Sequence, residues 1–179
     1  MKKKFLIILV VLLAVCATLL SACRKNVGAQ TISQLNGDTN FDFKFALQYN
    51  VNAGGAEYEP FDIEHGFGCE ILQSKDGLTR YTIAGYPDVT DKFCLVSVRT
   101  EDSKYSVFGF SVGMARADAE RRLSDVGYIT MEATEQSFGS SLHGIRMKKD
   151  GVNIMLWGDQ TITAISISLD VTNKDNVVF

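Results

Sequence analysis

The sequence is short of the residues that announce chemistry. Its 179 residues include only four cysteines and two histidines. It contains no phosphate-binding loop, dinucleotide fingerprint or zinc-ligand spacing, which excludes the nucleotide, dinucleotide and zinc classes that such motifs define. No serine stands in a Gly-x-Ser-x-Gly elbow. Basic residues are outnumbered, with 18 Lys and Arg against 21 Asp and Glu. That balance argues against nucleic acid or anionic lipid headgroups as main partners. The acidic residues are dispersed, so their surplus marks no site. There is only one long apolar run, at the start of the chain, and the remainder reads as a single water-soluble body.

The start of the chain is its most informative part. Lys2, Lys3 and Lys4 precede the apolar run, which covers residues 5–20. Sixteen residues fall short of the roughly 20 that span a hydrocarbon core. A basic start, a short apolar core and small residues at its end are the parts of a secretory signal. The run closes in Leu20-Ser21-Ala22-Cys23, which resembles the lipobox of a bacterial lipoprotein signal peptide. The resemblance implies cleavage of residues 1–22, a thioether lipid on Cys23 and acylation of its new amine. The protein would then sit at the extracytoplasmic side of the cell membrane, lipid-anchored, with the membrane as its first partner. Arg24 is not the aspartate of inner-membrane retention, which leaves both kinds of bacterial envelope open. Removing 1–22 discards Cys16 and three lysines, leaving 15 basic against 21 acidic residues and a net charge of −6.

Residues 23–39 are polar and without periodicity, and read as a lipidated tether. A flexible coil of 16 residues spans about 20–24 Å. Order is expected from Asn40. Phe41, Phe43, Phe45, Leu47 and Tyr49 alternate with Asp42, Lys44, Ala46 and Gln48, the period of a strand with one buried face. Residues 56–68 look irregular, and Pro60 argues against a helix or a central strand there. Asp76-Gly77 and Asp150-Gly151 each supply the positive-φ positions of a hairpin turn, with strand-like runs on either side. Between them, residues 115–126 form the one convincing helix. Ala115, Ala119, Leu123 and Val126 make its apolar stripe, Asp118 can pair with Arg122, and Gly127 stops it. The expected fold is α+β: a mostly antiparallel sheet in meander order with one packed helix, arranged as two related β-units. The first unit would be 40–104 and the second 105–179, together one compact body.

Gly113-Met114 before the helix, Leu123 and Gly127 at its end, and the strands after it are similar to two families. These are the small BamE (SmpA/OmlA) lipoprotein domains and the tandem units of β-lactamase inhibitor proteins. The resemblance covers residues 109–169. It implies a helix packed on hairpins, and for the second family an inhibitor of a secreted enzyme. The Gly-x-Pro that often succeeds the helix in those families is replaced here by Gly127-Tyr128-Ile129.

Cys69 and Cys94 are the only cysteines of the folded part, and an exported pair invites a disulfide. With 75–77 as a three-residue loop, Cys69 faces Ile83, and Ile83 faces Cys94. Two strand spacings, about 9.5 Å, exceed the roughly 7 Å between Cα atoms that a disulfide allows. A simple meander therefore forbids the bond, and another strand order permits it.

Asp38-x-Asn40-x-Asp42 opens like a calcium loop, but Phe43 and Tyr49 stand where that loop needs Gly and Glu. No metal site or cofactor is expected beyond the lipid. Glu57, Glu59, Asp62, Glu64 and His65 cluster around Pro60 and could do acid–base work, though a solvated loop explains them as well. His143 follows Ser140-Ser141-Leu142, but neither serine lies in a Gly-x-Ser-x-Gly elbow, and adjacent residues on a strand point to opposite faces. Tyr58, Tyr81, Tyr86 and Trp157 could line a binding face. The leading expectation is a non-catalytic binding or adaptor domain with an envelope protein partner. The alternatives are an exported hydrolase using Glu64 and His65 or His143, and an enzyme inhibitor.

Overall fold

A computed structural model describes residues 27–46, 48–49, 58–64, 69–86, 89–131 and 144–170, with side chains for 28–46, 71–84, 94–131 and 144–170. Its body is a mostly antiparallel sheet with two helices. The signal segment 1–22 and Cys23 lie outside the described residues.

In chain order the elements are helix α1 (Val27–Gly37) and the strands β1 (Gln48–Tyr49), β2 (Tyr58–Glu64), β3 (Cys69–Ser74), β4 (Thr79–Tyr86) and β5 (Val89–Thr100). A small hairpin comes next, β6 (Ser106–Val107) and β7 (Phe110–Ser111), then helix α2 (Arg116–Asp125). The last of the described elements are β8 (Ile129–Met131), β9 (Gly144–Lys149), β10 (Val152–Trp157) and β11 (Ala164–Leu169). The sheet order is β2-β3-β4-β5-β11-β10-β9-β8, with β1 beside β5.

This is two meanders rather than one. Each runs through four strands, and they join where the last strand of the first, β5, pairs antiparallel with the last strand of the second, β11. One row shows the symmetry. Leu72 stands opposite Tyr81, Tyr81 opposite Val98, Val98 opposite Ile167, Ile167 opposite Ile154 and Ile154 opposite Met147. All six are at most 3% exposed. They form one buried stripe across the sheet, centred on the Val98–Ile167 pair. Because β5 and β11 are antiparallel, the two Asp-Gly turns lie at opposite ends of the sheet. The second is a tight two-residue turn, with Asp150 at φ 45° and Gly151 at φ 83°, as a right-twisted hairpin requires.

The buried face carries the core. Ile32 and Leu35 of α1, Phe41, Phe43, Phe45, Tyr105, Val107, Phe110, and Ala119 and Leu123 of α2 all belong to it. Phe41 meets Phe45 and Tyr81 edge to face at 6.5 and 6.3 Å between ring centroids. Such pairs add roughly 0.5–1.5 kcal/mol beyond their buried area.

Five expectations need correction. The stretch read as a tether over 23–39 is folded from Val27 onward, as α1. A pair of apolar residues three apart, Ile32 and Leu35, is enough to bury one side of so short a helix. Among the described residues two helices are therefore packed on the sheet, where one was expected. The phenylalanines alternate in burial as predicted, yet 41–44 make no ladder. Phe45 forms a single bridge to Leu95, and only Gln48–Tyr49 are a strand; Leu47 lies outside the described residues. Residues 58–64 are a strand, not irregular. Pro60 is tolerated because β2 is an edge strand with a bulge between Pro60 and Asp62, where a missing N–H does least harm. Finally, the Cys69–Cys94 disulfide is not formed, since Cys94 is free and buried. Both residues stand opposite Ala84, on its two sides. On the Cys69 side the register differs by one residue from the expected Ile83 because the first hairpin loop has four residues, 75–78. On the Cys94 side it differs because the β4–β5 ladder shifts register between Thr82 and Ile83 and between Gly85 and Tyr86.

Helix α2 falls one residue inside its expected bounds at each end, with Ala115 and Val126 as its caps. Its stripe buries Ala119 and Leu123. Gly127, at φ 93°, turns the chain so that Tyr128 N–H donates to Leu123 O at 2.9 Å, a Schellman-like stop. Asp118 pairs with Arg121 at 3.1 Å rather than with Arg122, and Arg116 pairs with Glu120 at 3.0 Å.

Candidate functional site

Strand side chains alternate between faces, and everything described packs on one of them. The other face is built from residues out of phase with the core. Gln73, Arg80, Arg99, Ser166, Met155, Arg146 and Met131 form one row across it, each opposite the next. Among the described residues, no helix or hairpin covers this face.

Trp157 stands on this face at the end of β10. Its partners in the ladder are Ala164 and Gly144, the two smallest residues near it. A Cβ on Gly144 would lie 3.1 Å from the indole Cε3 and 3.2 Å from the Met155 sulfur, so the ring lies down over that glycine. Trp157 Nε1–H donates to Ser166 Oγ at 2.9 Å. The Arg99 guanidinium stands 5.3 Å from the ring centroid and pairs with Glu101 at 3.1 Å. This pairing fixes a planar cation over an aromatic ring on a rigid sheet. Such a pair suits a ligand that stacks and presents an oxyanion or a carbonyl. Arg80 Nε–H donates to Gln73 Oε1 at 2.9 Å, and Lys148 lies 3.9 Å from Asp170. At the β8 edge the face becomes apolar, with Ile129 64% and Met131 39% exposed.

The sequence-predicted site residues scatter. Trp157 is on this face. Tyr81 is not: it is fully buried on the opposite side, because it is in phase with Thr79 and Ile83, and its place in a binding face is withdrawn. Tyr58 pairs with Ser74 on β2 and Tyr86 with Val89 on β4, but their side chains lie outside the described residues. Glu64 ends β2 opposite Cys69, likewise without a described side chain. His65 and His143 lie outside the described residues. Asn40 and Asp42 serve structure. Asn40 Oδ1 accepts from Ser106 N–H at 2.6 Å, and Asp42 accepts from the Tyr105 hydroxyl. Among the described residues, no group of three or more His, Cys, Asp or Glu could hold a metal. The Cys94 thiol is pushed up by burial and lies inside the fold.

Sequence reasoning missed Arg99, Ser166 and Gly144. Phase was the available clue. Ile165 and Ile167 alternate with Ser166 and Ser168, and Val152, Ile154 and Leu156 alternate with Met155 and Trp157. Reading the aromatics as one set, without asking which face each occupies, put Tyr81 and Trp157 together.

No family model matches the chain, and no curated protein matches it. Among solved structures it is similar to an extracellular protein containing an SCP domain from Bacillus anthracis strain Ames. The identity is 12% and the TM-score 0.46, over 74% of this chain and 48% of that one. The chain thus spans about half the length of that neighbour, and a likeness of this size carries no argument about function.

Proposed function

We propose that the chain is a lipid-anchored envelope protein whose body is a non-catalytic binding domain, and that it binds through the open sheet face around Trp157. The lipobox at Leu20-Ser21-Ala22-Cys23 supports the anchor. The observation that carries the binding role is the Trp157–Arg99–Ser166 group, an indole laid over Gly144 and held by a hydrogen bond and a cation. Aromatic and Arg side chains on a rigid, otherwise polar face are the usual anchors of recognition surfaces. The partner sought is an envelope protein.

Two measurements test this reading. Labelled palmitate should enter the wild-type chain and not Cys23→Ser. The delipidated body should capture a partner from cell-envelope extract that Trp157→Ala and Arg99→Ala both lose by at least tenfold. Leu78→Ala, at the first hairpin turn, should capture as well as wild type. Equal capture by all four proteins would remove the open face as the binding surface.

A further inference from the structure

The packing of α1 changes what the anchor can do. From Cys23 to Val27 there are four residue steps, and a fully extended chain covers at most about 13–14 Å in that many. The headgroup region is about 5–8 Å deep on each side of a bilayer. A lipid on Cys23 places that residue at the boundary between acyl chains and headgroups. The first turn of α1 is then held within about 10 Å of the outer headgroup surface.

α1 is not a lever that can swing away. Ile32 and Leu35 are buried in the core. Thr31 Oγ1–H donates to Asp150 Oδ2 at 2.7 Å, and Lys149 Nζ donates to Gln34 Oε1 at 3.1 Å. Farther along, the Asn36 amide both donates to Phe45 O at 2.9 Å and accepts from Phe45 N–H at 2.8 Å. These contacts also fix direction. The C-terminal end of the helix meets Phe45 and Phe108, whose N–H donates to Asp38 O at 2.9 Å. Thr31 and Gln34, in the middle of the helix, lie at the end of the sheet with the Asp150-Gly151 turn.

We infer that the body rests on the lipid surface by this end, and that Ile129 and Lys148 meet the headgroup boundary. The inference rests on the lipid at Cys23. The same end gathers the β9–β10 turn, the close of β11, where Asp170 N–H donates to Gly151 O at 2.7 Å, and the start of β8. Ile129 opens β8 opposite Lys148. It is 64% exposed, the most exposed large apolar residue among those described, and the Lys148 side chain beside it is 40% exposed. An apolar group flanked by a long cationic chain suits the headgroup boundary, where the stem lies in apolar surroundings and the charge stays wet. Leu78, 40% exposed, is at the opposite end of the sheet and faces away from the bilayer. The surface is held there by the short link, so net charge need not attract it.

The test uses the full chain, lipidated in a bacterial host and reconstituted in phosphatidylcholine vesicles that carry brominated acyl chains near the headgroup. Trp157 is the one tryptophan. A Trp157→Phe background therefore accepts a single reporter, either Ile129→Trp or Leu78→Trp, both at exposed positions where folding is checked by circular dichroism. The Ile129→Trp reporter should lose at least half its emission to brominated lipid and shift to the blue, with the Leu78→Trp reporter unchanged. Equal quenching of the two, or none at Ile129→Trp in a vesicle-bound protein, overturns the docking. Failure of the wild type to float with vesicles any better than Cys23→Ser would instead show that the anchor is absent, and the docking would fall with it.

Discussion

Single residues in this protein are explained by phase and by the partner each atom finds. Asp76 is the clearest ionisable case. Its Oδ1 accepts from Ser74 Oγ–H at 2.6 Å and from Leu78 N–H at 3.0 Å. These bonds favour the charged form, the Ser74 bond foremost, and hold the carboxyl below its ordinary value. A folded pKa below the unfolded one means that the stabilisation is present above the unfolded value of about 3.9. It is lost as pH falls through the folded value. Ser74→Ala should move the Asp76 titration upward, read by NMR of the carboxyl carbon, and should make the first hairpin turn open at a higher pH on acidification. An Asp76 titration unmoved by Ser74→Ala would deny that the hydroxyl is the chief cause.

At the scale of elements, the structure separates patterns that carry their own evidence from those that need a partner. Helix α2 was legible because its stripe, its charges and Gly127 all agree. The hairpins were legible from Asp-Gly. Helix α1 was not. Its eleven residues (VGAQTISQLNG) have no acidic residue in the first turn and no basic residue in the last, and they contain two glycines. What makes it a helix is burial of Ile32 and Leu35 against residues more than a hundred positions later, which no local window shows. The strand over 58–64 was hidden by Pro60 for the opposite reason: the rule that forbids proline in a sheet is relaxed at an edge. The Trp157 site was half legible, since the tryptophan stood out but its neighbours come from β5, β9 and β11. If α1 is structural, Leu35→Ala should lower the stability of the body by about 2–5 kcal/mol, measured by urea denaturation. A coil-like tether would give no change.

For the whole molecule, the join between β5 and β11 is decisive. Val98 and Ile167 meet there at the middle of one buried stripe, and neither meander has a core of its own. The two halves should unfold in a single transition seen alike by circular dichroism and by Trp157 emission. Amide exchange should be slowest in β5 and β11, the two strands through which the halves of the sheet are joined. Two separate transitions would mean that each meander folds alone. The first helix and the Trp157 face are then parts of one body, so the open face is fixed relative to α1.

The bond between Thr31 and Asp150 spans 119 residues, and that separation has a meaning in time. A chain is made and emerges from its N-terminus. α1 is the first of the described elements to appear, yet Asp150, the partner of its Thr31, arrives when most of the chain is already out. Until then α1 lacks that bond and is held only by nearer partners, such as Phe45 through the Asn36 amide. Docking of α1 closes that interval. The β9–β10 hairpin, made late, thus completes the hold on the first of the described elements.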